Sequence, residues 1–322
     1  MTYILVTGGA GFIGAHTCKQ LAQMGYTPVV LDSLITGYEN FVKWGPLVKA
    51  DISDVVVVAD TIRAYNITAM IHFAGSIVVP DSVRDPLTYY DNNISKSVRL
   101  IQTAVDNGIK NMVFSSSAAV YGMPDLAPIP VETPLNPISP YGYTKAVIER
   151  LLSDLSVARP DVKTLSLRYF NAAGSDPDGD VGEAHMPETH LIPLALDAMS
   201  GKGRPLTVFG QDYPTPDGTC IRDYIHVLDL AMAHVQGLKY LNGGGSSRIL
   251  NLGIGKGFSV KEVLQTIENV CHRPVPFVWG PRREGDPAIL VADAAESRRV
   301  LDWTPKHDAL EKMVSDAWRW RQ

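Results

Sequence analysis

Thr7-Gly8-Gly9-Ala10-Gly11-Phe12-Ile13-Gly14 closes the predicted strand Tyr3–Thr7 and opens an amphipathic stretch, Ile13–Met24, and this placement decides the fold. Gly9, Gly11 and Gly14 satisfy G-x-G-x-x-G between a strand and a helix, the context that lets the backbone turn tightly against a pyrophosphate and aim a helix N-terminus at it. Asp32 ends the next predicted strand, 18 residues beyond Gly14. A carboxylate there accepts from a ribose 2′-hydroxyl and repels a 2′-phosphate, so the spacing selects NAD over NADP.

Outward from this loop, apolar runs alternate with helical periodicity. Pro28–Leu31, Leu47–Ala50, Ala69–Phe73, Asn111–Ser115 and Thr164–Leu167 read as further strands. Val55–Tyr65, Pro86–Asn107 and Tyr141–Val157 read as helices between them, which predicts an α/β fold with a doubly wound parallel sheet. From Asn171 the texture changes to Gly, Pro and Asp, with helical periodicity resuming at Ile192–Met199, Val227–Leu241 and Val260–Val270. The expectation is a Rossmann-type domain over 1–173, to which segments around 220–255 return, and a smaller, partly discontinuous domain over 174–322. Ligand then lies beyond the carboxyl ends of the strands.

Composition excludes several classes. The 322 residues are 45% apolar with a net charge of −5, and basic and acidic residues are mixed along the chain, so neither a nucleic-acid nor a membrane surface is expected. The start MTYILVTGG lacks a cationic n-region, and no apolar run reaches membrane-spanning length, which reads as cytoplasmic. Cys18, Cys220 and Cys271 are far apart and read as reduced structural thiols. His185 and His190, near Glu183 and Glu188, match no common helical ligand spacing, and no metal is expected. His72 reads as a hydrogen-bonded core residue, Val55–Val58 as helix core, and Trp318 with Trp320 as a docked terminal helix.

A second constellation carries chemistry. Tyr141 and Lys145 stand four apart at the start of a predicted helix, so their side chains share a face, and Ser117 lies just past the strand Asn111–Ser115. A Tyr-x-x-x-Lys pair alone is ordinary surface chemistry. Behind a dinucleotide loop it reads as a base: a phenol ionises unaided only near pH ~10, and Lys145 with a cationic nicotinamide stabilises the phenolate while Ser117 holds the same substrate oxygen.

TGGAGFIG, HFAGS (72–76), YYDNN (89–93), FSSSAAVYG (114–122), SPYGYTK (139–145), LRYFNAAG (167–174), DYPTPDGTCIRDYIHV (212–227) and PRREGDPA (281–288) occur in order. Together they resemble the extended short-chain dehydrogenase/reductases and, within them, the nucleotide-sugar 4-epimerases. The resemblance implies an isomerase of galactose metabolism that interconverts UDP-glucose and UDP-galactose, with NAD as cofactor. It implies Tyr141 as base, Lys145 as its partner and Ser117 as their companion. Gly8, Gly11, Phe12, Ile13, Gly14, Asp32, Ser33, Asp51, Ile52, Phe73, Ala74, Gly75, Asn92, Tyr141, Lys145 and Tyr169 match cofactor-contacting positions. Ser117, Tyr141, Asn171, Leu191, Phe209, Arg222, Arg283, Asp286 and Leu290 match positions that hold the UDP-sugar, and two guanidinium forks suit a diphosphate. A homodimer through the helices Pro86–Asn107 and Tyr141–Val157 is implied by the same analogy.

Two neighbouring residues narrow the reaction. Family dehydratases carry an Asp-Glu pair after the Ser or Thr position, where this chain has Ala118 and Ala119. Returning the hydride to the other face of a rotated 4-keto sugar is then the most economical outcome. Sister activities on UDP-xylose or arabinose, UDP-GlcNAc or UDP-glucuronate are the alternatives, followed by a non-catalytic NAD sensor, which needs none of Ser117, Tyr141 and Lys145. Leu290, at the position that gates space around the sugar, favours hexoses without an N-acetyl group. Ile77 stands where many relatives have a lysine that helps hold the cofactor.

Overall fold

The structure is a computed structural model that describes residues 2–283 and 285–322. Seven strands build its main sheet: β1 (Thr2–Thr7), β2 (Tyr26–Asp32), β3 (Leu47–Lys49), β4 (Ala69–His72), β5 (Asn111–Ser115), β6 (Lys163–Tyr169) and β10 (Arg248–Leu252). Their order is β3-β2-β1-β4-β5-β6-β10 and every pairing is parallel. Period-two alternation explains why these strands read as apolar on both sides. Ile4 and Val6 pack with α1 (Phe12–Gln23) and α8 (Val227–Asn242), whereas Leu5 packs with α2 (Val55–Ala64), α5 (Lys96–Asp106) and α6 (Pro140–Ala158). This is the doubly wound Rossmann-type fold. The chain moves outward from β1 to β3 and then returns to β4 on the other side of β1, so a crevice opens between the loops that follow β1 and β4.

The second half is built differently. β9 (Ile221–His226) pairs with β7 (Asn171–Ala173), β11 (Gly257–Ser259) and β13 (Ile289–Leu290), and β8 (Leu206–Phe209) pairs with β12 (Phe277–Gly280). A separate core containing Leu196, Val208, Ile267 and Met313 joins these strands to α7 (Leu191–Ser200), α9 (Val260–Cys271) and α11 (Leu310–Arg321). α10 (Ala295–Leu301) packs on α8 and β10. Of residues 220–255, α8 and β10 thus join the large sheet's layers while β9 lies in the small sheet.

Several expectations need correction. The stretch Pro86–Asn107 is not one helix: α4 (Pro86–Tyr90) and α5 are joined by a π-helical turn, Asp91–Ser95, and α3 (Val79–Arg84) precedes them. Such turns insert a residue that periodicity cannot register, and they recur at functional sites. Val55–Val58 is not core throughout. Asp54 caps α2, which puts Val55 and Val56 on its outer side, and only Val58 of the four is fully buried, with Thr61 and Ile62. The terminal helix α11 does dock: Trp318 packs on the second core, and Trp320 Nε1 donates to Glu183 O. Cys18 and Cys220 are buried free thiols and Cys271 is half-buried.

Candidate active site

The glycine loop is shaped by contacts that leave no room for side chains. Gly8 has φ +71°, and a Cβ there would lie 2.6 Å from Ala74 N in the loop after β4. A Cβ on Gly14 would lie 2.2 Å from Gly8 O, so α1 sits directly on the turn. Gly11 caps α1 without a side chain and Phe12, Ile13 and Gly14 form its first turn, so their amides are left for an external acceptor. Asp32 ends β2 with one carboxylate oxygen accepting from Ala10 N (3.0 Å) and the other from Leu34 N (2.9 Å), and Ser33 follows it. Each oxygen keeps a lone pair for a ribose hydroxyl. Space and donor set therefore fit a dinucleotide.

The flanking loops complete this edge. Asp51, followed by Ile52, accepts from Ser53 N and Oγ (2.9 and 2.8 Å) and from Lys96 Nζ (2.6 Å). Burial alone raises its pKa, but the Lys96 ammonium and the Ser53 bonds outweigh this and hold it below the usual carboxylate range. Phe73, Ala74 and Gly75 follow β4. The π-helical turn supplies Asn92, whose Nδ2 donates to Ser76 Oγ at 2.9 Å, and Asn93, which clamps Ser76 through its N–H (2.7 Å) and C=O (2.9 Å). Ser76 and Asn93 end two of the quoted segments, HFAGS and YYDNN, without a role being assigned to them, and Lys96 lies outside every quoted segment. Ile77 is exposed and presents no cation.

Tyr141 and Lys145 occupy the first two turns of α6, which begins with Pro140 and is capped by Ser139 Oγ accepting from Gly142 N. Both side chains are buried. Lys145 Nζ donates to Ser115 O (2.8 Å) and lies 5.8 Å from the centroid of the Tyr141 ring and 4.9 Å from that of Phe114. Burial pushes the Lys145 pKa down to about 8, against the opposing pull of Glu149. Burial also pushes the Tyr141 phenol above its ordinary value, Tyr169 adds to the rise, and the Ser117 hydroxyl opposes it. Ser117 caps the short turn Ala118–Tyr121, and Tyr169 OH accepts from Ser115 Oγ at 3.1 Å. His72 is buried between Thr7 Oγ1 (2.7 Å) and Ser97 Oγ (3.0 Å), a core contact rather than a reactive one.

On the opposite side, β7 brings Asn171 to β9, where its Nδ2 donates to Asp223 O (3.1 Å). Asp223 faces away from its neighbour Arg222 and takes N–H bonds from Ile254, Gly255 and Ala292, which fixes β9 in place. Arg222 Nη1 donates to Ile221 O (2.7 Å) and Nη2 pairs with Asp286. The Arg283 guanidinium stacks over Phe209, 4.1 Å from the ring centroid. Leu191 begins α7. Leu290 packs against Ala118, Val120, Tyr121 and Ile129, which brings the second half against the turn that carries Ser117.

The acidic and histidine residues just before α7 form a separate cluster. Glu183, His185, Glu188 and His190 do converge, with His190 Nδ1 2.6 Å from Glu183 and 3.0 Å from Glu188. Arg321 Nη2 pairs with Glu188 (3.1 Å), and the two carboxylates outweigh burial to hold His190 protonated, its pKa raised to about 10. Arg321 Nη1 also pairs with Asp197 (2.5 Å), so a guanidinium and an imidazolium are shared among three carboxylates.

A family model described as the NAD dependent epimerase/dehydratase family matches residues 4–253. The UDP-glucose 4-epimerase of Rhizobium meliloti is 50% identical over 317 residues, covering 98% of this chain and 96% of that protein. The structure of the Brucella ovis UDP-glucose 4-epimerase in complex with NAD superposes with a TM-score of 0.97 at 45% identity, covering 99% of this chain and 98% of that one. That of the Bifidobacterium longum enzyme in complex with NAD+ and UDP gives a TM-score of 0.93 at 36% identity, covering 99% and 98%. On the sequence, the fold and these relationships together, the chain belongs to the NAD dependent epimerase/dehydratase family.

Proposed function

We propose that this protein is a cytoplasmic UDP-glucose 4-epimerase that interconverts UDP-galactose and UDP-glucose, with Tyr141 as the base. The observation that carries the reading is the buried Tyr141 and Lys145 pair beside Ser117, whose turn packs against Leu290 of the second half, the half that bears Arg222, Arg283 and Asp286. The named relatives are epimerases of this type.

The glycine loop, Asp32, Ser33, Asp51, Ile52, Phe73, Ala74, Gly75, Asn92 and Tyr169 would hold NAD. When bound, NAD supplies reversible acceptance of the C4 hydride and a positive charge beside the phenol, so the sugar passes through a 4-keto stage without net oxidation. The residues do the rest. Tyr141, whose burial disfavours the phenolate, becomes a base only when cations surround it, and Lys145 is one of them. Ser117 shares the substrate oxygen and orients its proton toward Tyr141. Arg222 and Arg283 would meet the diphosphate, Asp286 the uridine ribose, and Asn171, Leu191 and Phe209 the rest of the nucleotide. Leu290 would bound the sugar, and Ala118 and Ala119 place no acid beside it to drive elimination.

Functionally the chain divides into an NAD half, 1–173 with segments around 220–255, and a UDP-sugar half within 174–322; the seven-stranded sheet and the two smaller sheets support this division, apart from β7 and β9, which pair in the smaller half. A homodimer is supported by apolar side chains left exposed on α3 to α6, among them Val83, Leu87, Tyr90, Tyr143 and Val147. Among the described residues no helix is long and apolar enough to cross a membrane. The decisive assay is incubation of purified protein with UDP-galactose, UDP-GlcNAc and a UDP-pentose in parallel. UDP-glucose formation is expected to dominate, whereas turnover of UDP-GlcNAc or the pentose alone would overturn the reading.

A further inference from the structure

Beneath the Tyr141 and Lys145 pair lies a buried polar network that no motif identified. Glu149 stands one turn below Lys145 on α6, with 1% of its side chain exposed, and faces Arg168 on β6 at 4%. Arg168 grips it with Nε at 2.9 and 3.1 Å from the two oxygens and Nη2 at 2.6 Å. Arg168 Nη1 also donates to Tyr121 OH (2.9 Å) and Val131 O (3.0 Å), and Tyr121 OH donates to Asn251 Oδ1 (2.6 Å). The remaining contact points at the site: Ser116 Oγ donates to Glu149 Oε1 at 2.5 Å.

Ser116 lies between two residues of the site. On one side the Ser115 carbonyl receives Lys145 Nζ, and on the other is Ser117. A buried ion pair of this kind returns little net stability relative to an apolar core, because both charges must be desolvated, so its presence calls for another explanation. We propose that Glu149 is a positioning residue: locked by Arg168, its carboxylate holds Ser116 and thereby sets where the Ser115 carbonyl meets Lys145 and where Ser117 meets Tyr141. Glu149 is also the anion that keeps Lys145 charged. The other titratable groups around Lys145 carry no compensating charge, since His72 on β4 and His234 on α8 are pushed by burial to about 3 and about 4, and Tyr169 and Tyr89 beside Tyr141 are phenols.

The proposal rests on the epimerase reading for its role but is testable apart from it. In holoenzyme carrying its NAD, Glu149→Gln keeps the shape and removes the charge. Lys145 then loses its proton at lower pH, so the alkaline limb of the kcat profile moves down by roughly half a pH unit or more. Ser116→Ala cuts only the link to the strand end and should lower kcat about tenfold with KM for UDP-galactose unchanged. Because Glu149→Gln also disturbs Arg168, melting and NAD content are followed in both variants. An unshifted alkaline limb in folded Glu149→Gln, or an unchanged kcat in Ser116→Ala, overturns the proposal. If the wild type turns over no UDP-sugar, NMR titration of the Lys145 ammonium, identified by its absence in Lys145→Arg, replaces the kcat profile: a downward shift in Glu149→Gln supports the proposal, and no shift rejects it.

Discussion

The two halves of the proposed site, one assigned to NAD and the other to the UDP-sugar, are made of different material. The NAD half is made of backbone: a glycine turn, the open amides of α1 and the ends of β2 and β4, contributed mostly by short runs of consecutive residues. The UDP half is made of side chains drawn from β7, α7, β8, β9 and the segment before β13, and its central cation, Arg222, is held both by the adjacent Ile221 carbonyl and by Asp286 from a distant segment. A backbone cradle is specific for phosphate geometry but indifferent to what lies beyond it, whereas a side-chain cradle changes its ligand when one residue changes. The family's variety of sugars therefore belongs on the second half, and its common chemistry on the first.

The largest break in this comparison separates binding from chemistry. Tyr141→Phe should lower kcat about 10²- to 10⁴-fold while retained NAD and KM stay near wild type, as read by coupled turnover and by mass spectrometry of the native protein. A break confined to the backbone half comes next. Gly14→Val forces a side chain into the 2.2 Å approach to Gly8 O, and NAD retained after gel filtration should fall roughly tenfold or more. Arg222→Met breaks only the other half. It removes a charged donor, a loss of about 1.5–3 kcal/mol, so KM for UDP-galactose should rise about 10- to 100-fold with NAD content unchanged. Equal loss of NAD in both variants would show that the halves are not separable.

The smallest effect tests the Glu183, Glu188 and His190 cluster, whose partners lie just before α7. The folded-state pKa of His190 is raised, so its contribution to stability is fully present below its unfolded pKa of about 6.5 and is lost as pH rises through about 10. The melting difference between wild type and His190→Gln should be no more than about 2 °C, because the imidazole is partly exposed, and it should close toward pH 10. A gap that widens with pH would reject a protonated His190.

Legibility in the sequence follows the same division. The loop 7–14, Asp32 and the first six strands of the main sheet were readable because consecutive residues carry both period and motif, and β5 spans Asn111–Ser115 as the pattern predicts, whereas β10 was not read as a strand. The π-helical turn at Asp91–Ser95 was not, because one inserted residue leaves the apolar spacing on either side intact. The small strands of the second half, of two to six residues, are too short to show a period, and β13 is only two long. Arg222 and Asp286 were placed by resemblance, since they are 64 positions apart and only tertiary folding pairs them. Glu149 and Arg168 escaped notice for a related reason: on their own elements each looks like a charge on an amphipathic surface, and burial becomes visible only when β6 and α6 are packed.

The central claim is that NAD is a retained hydride store on the backbone half while the UDP-sugar turns over on the other. The direct measurement is NAD per protein, by native mass spectrometry, before and after many turnovers of UDP-galactose with no nicotinamide added. The account predicts UDP-glucose formation with NAD still bound and undiminished. Turnover that requires added NAD and consumes it, or protein that converts nothing while loaded with NAD, would contradict it.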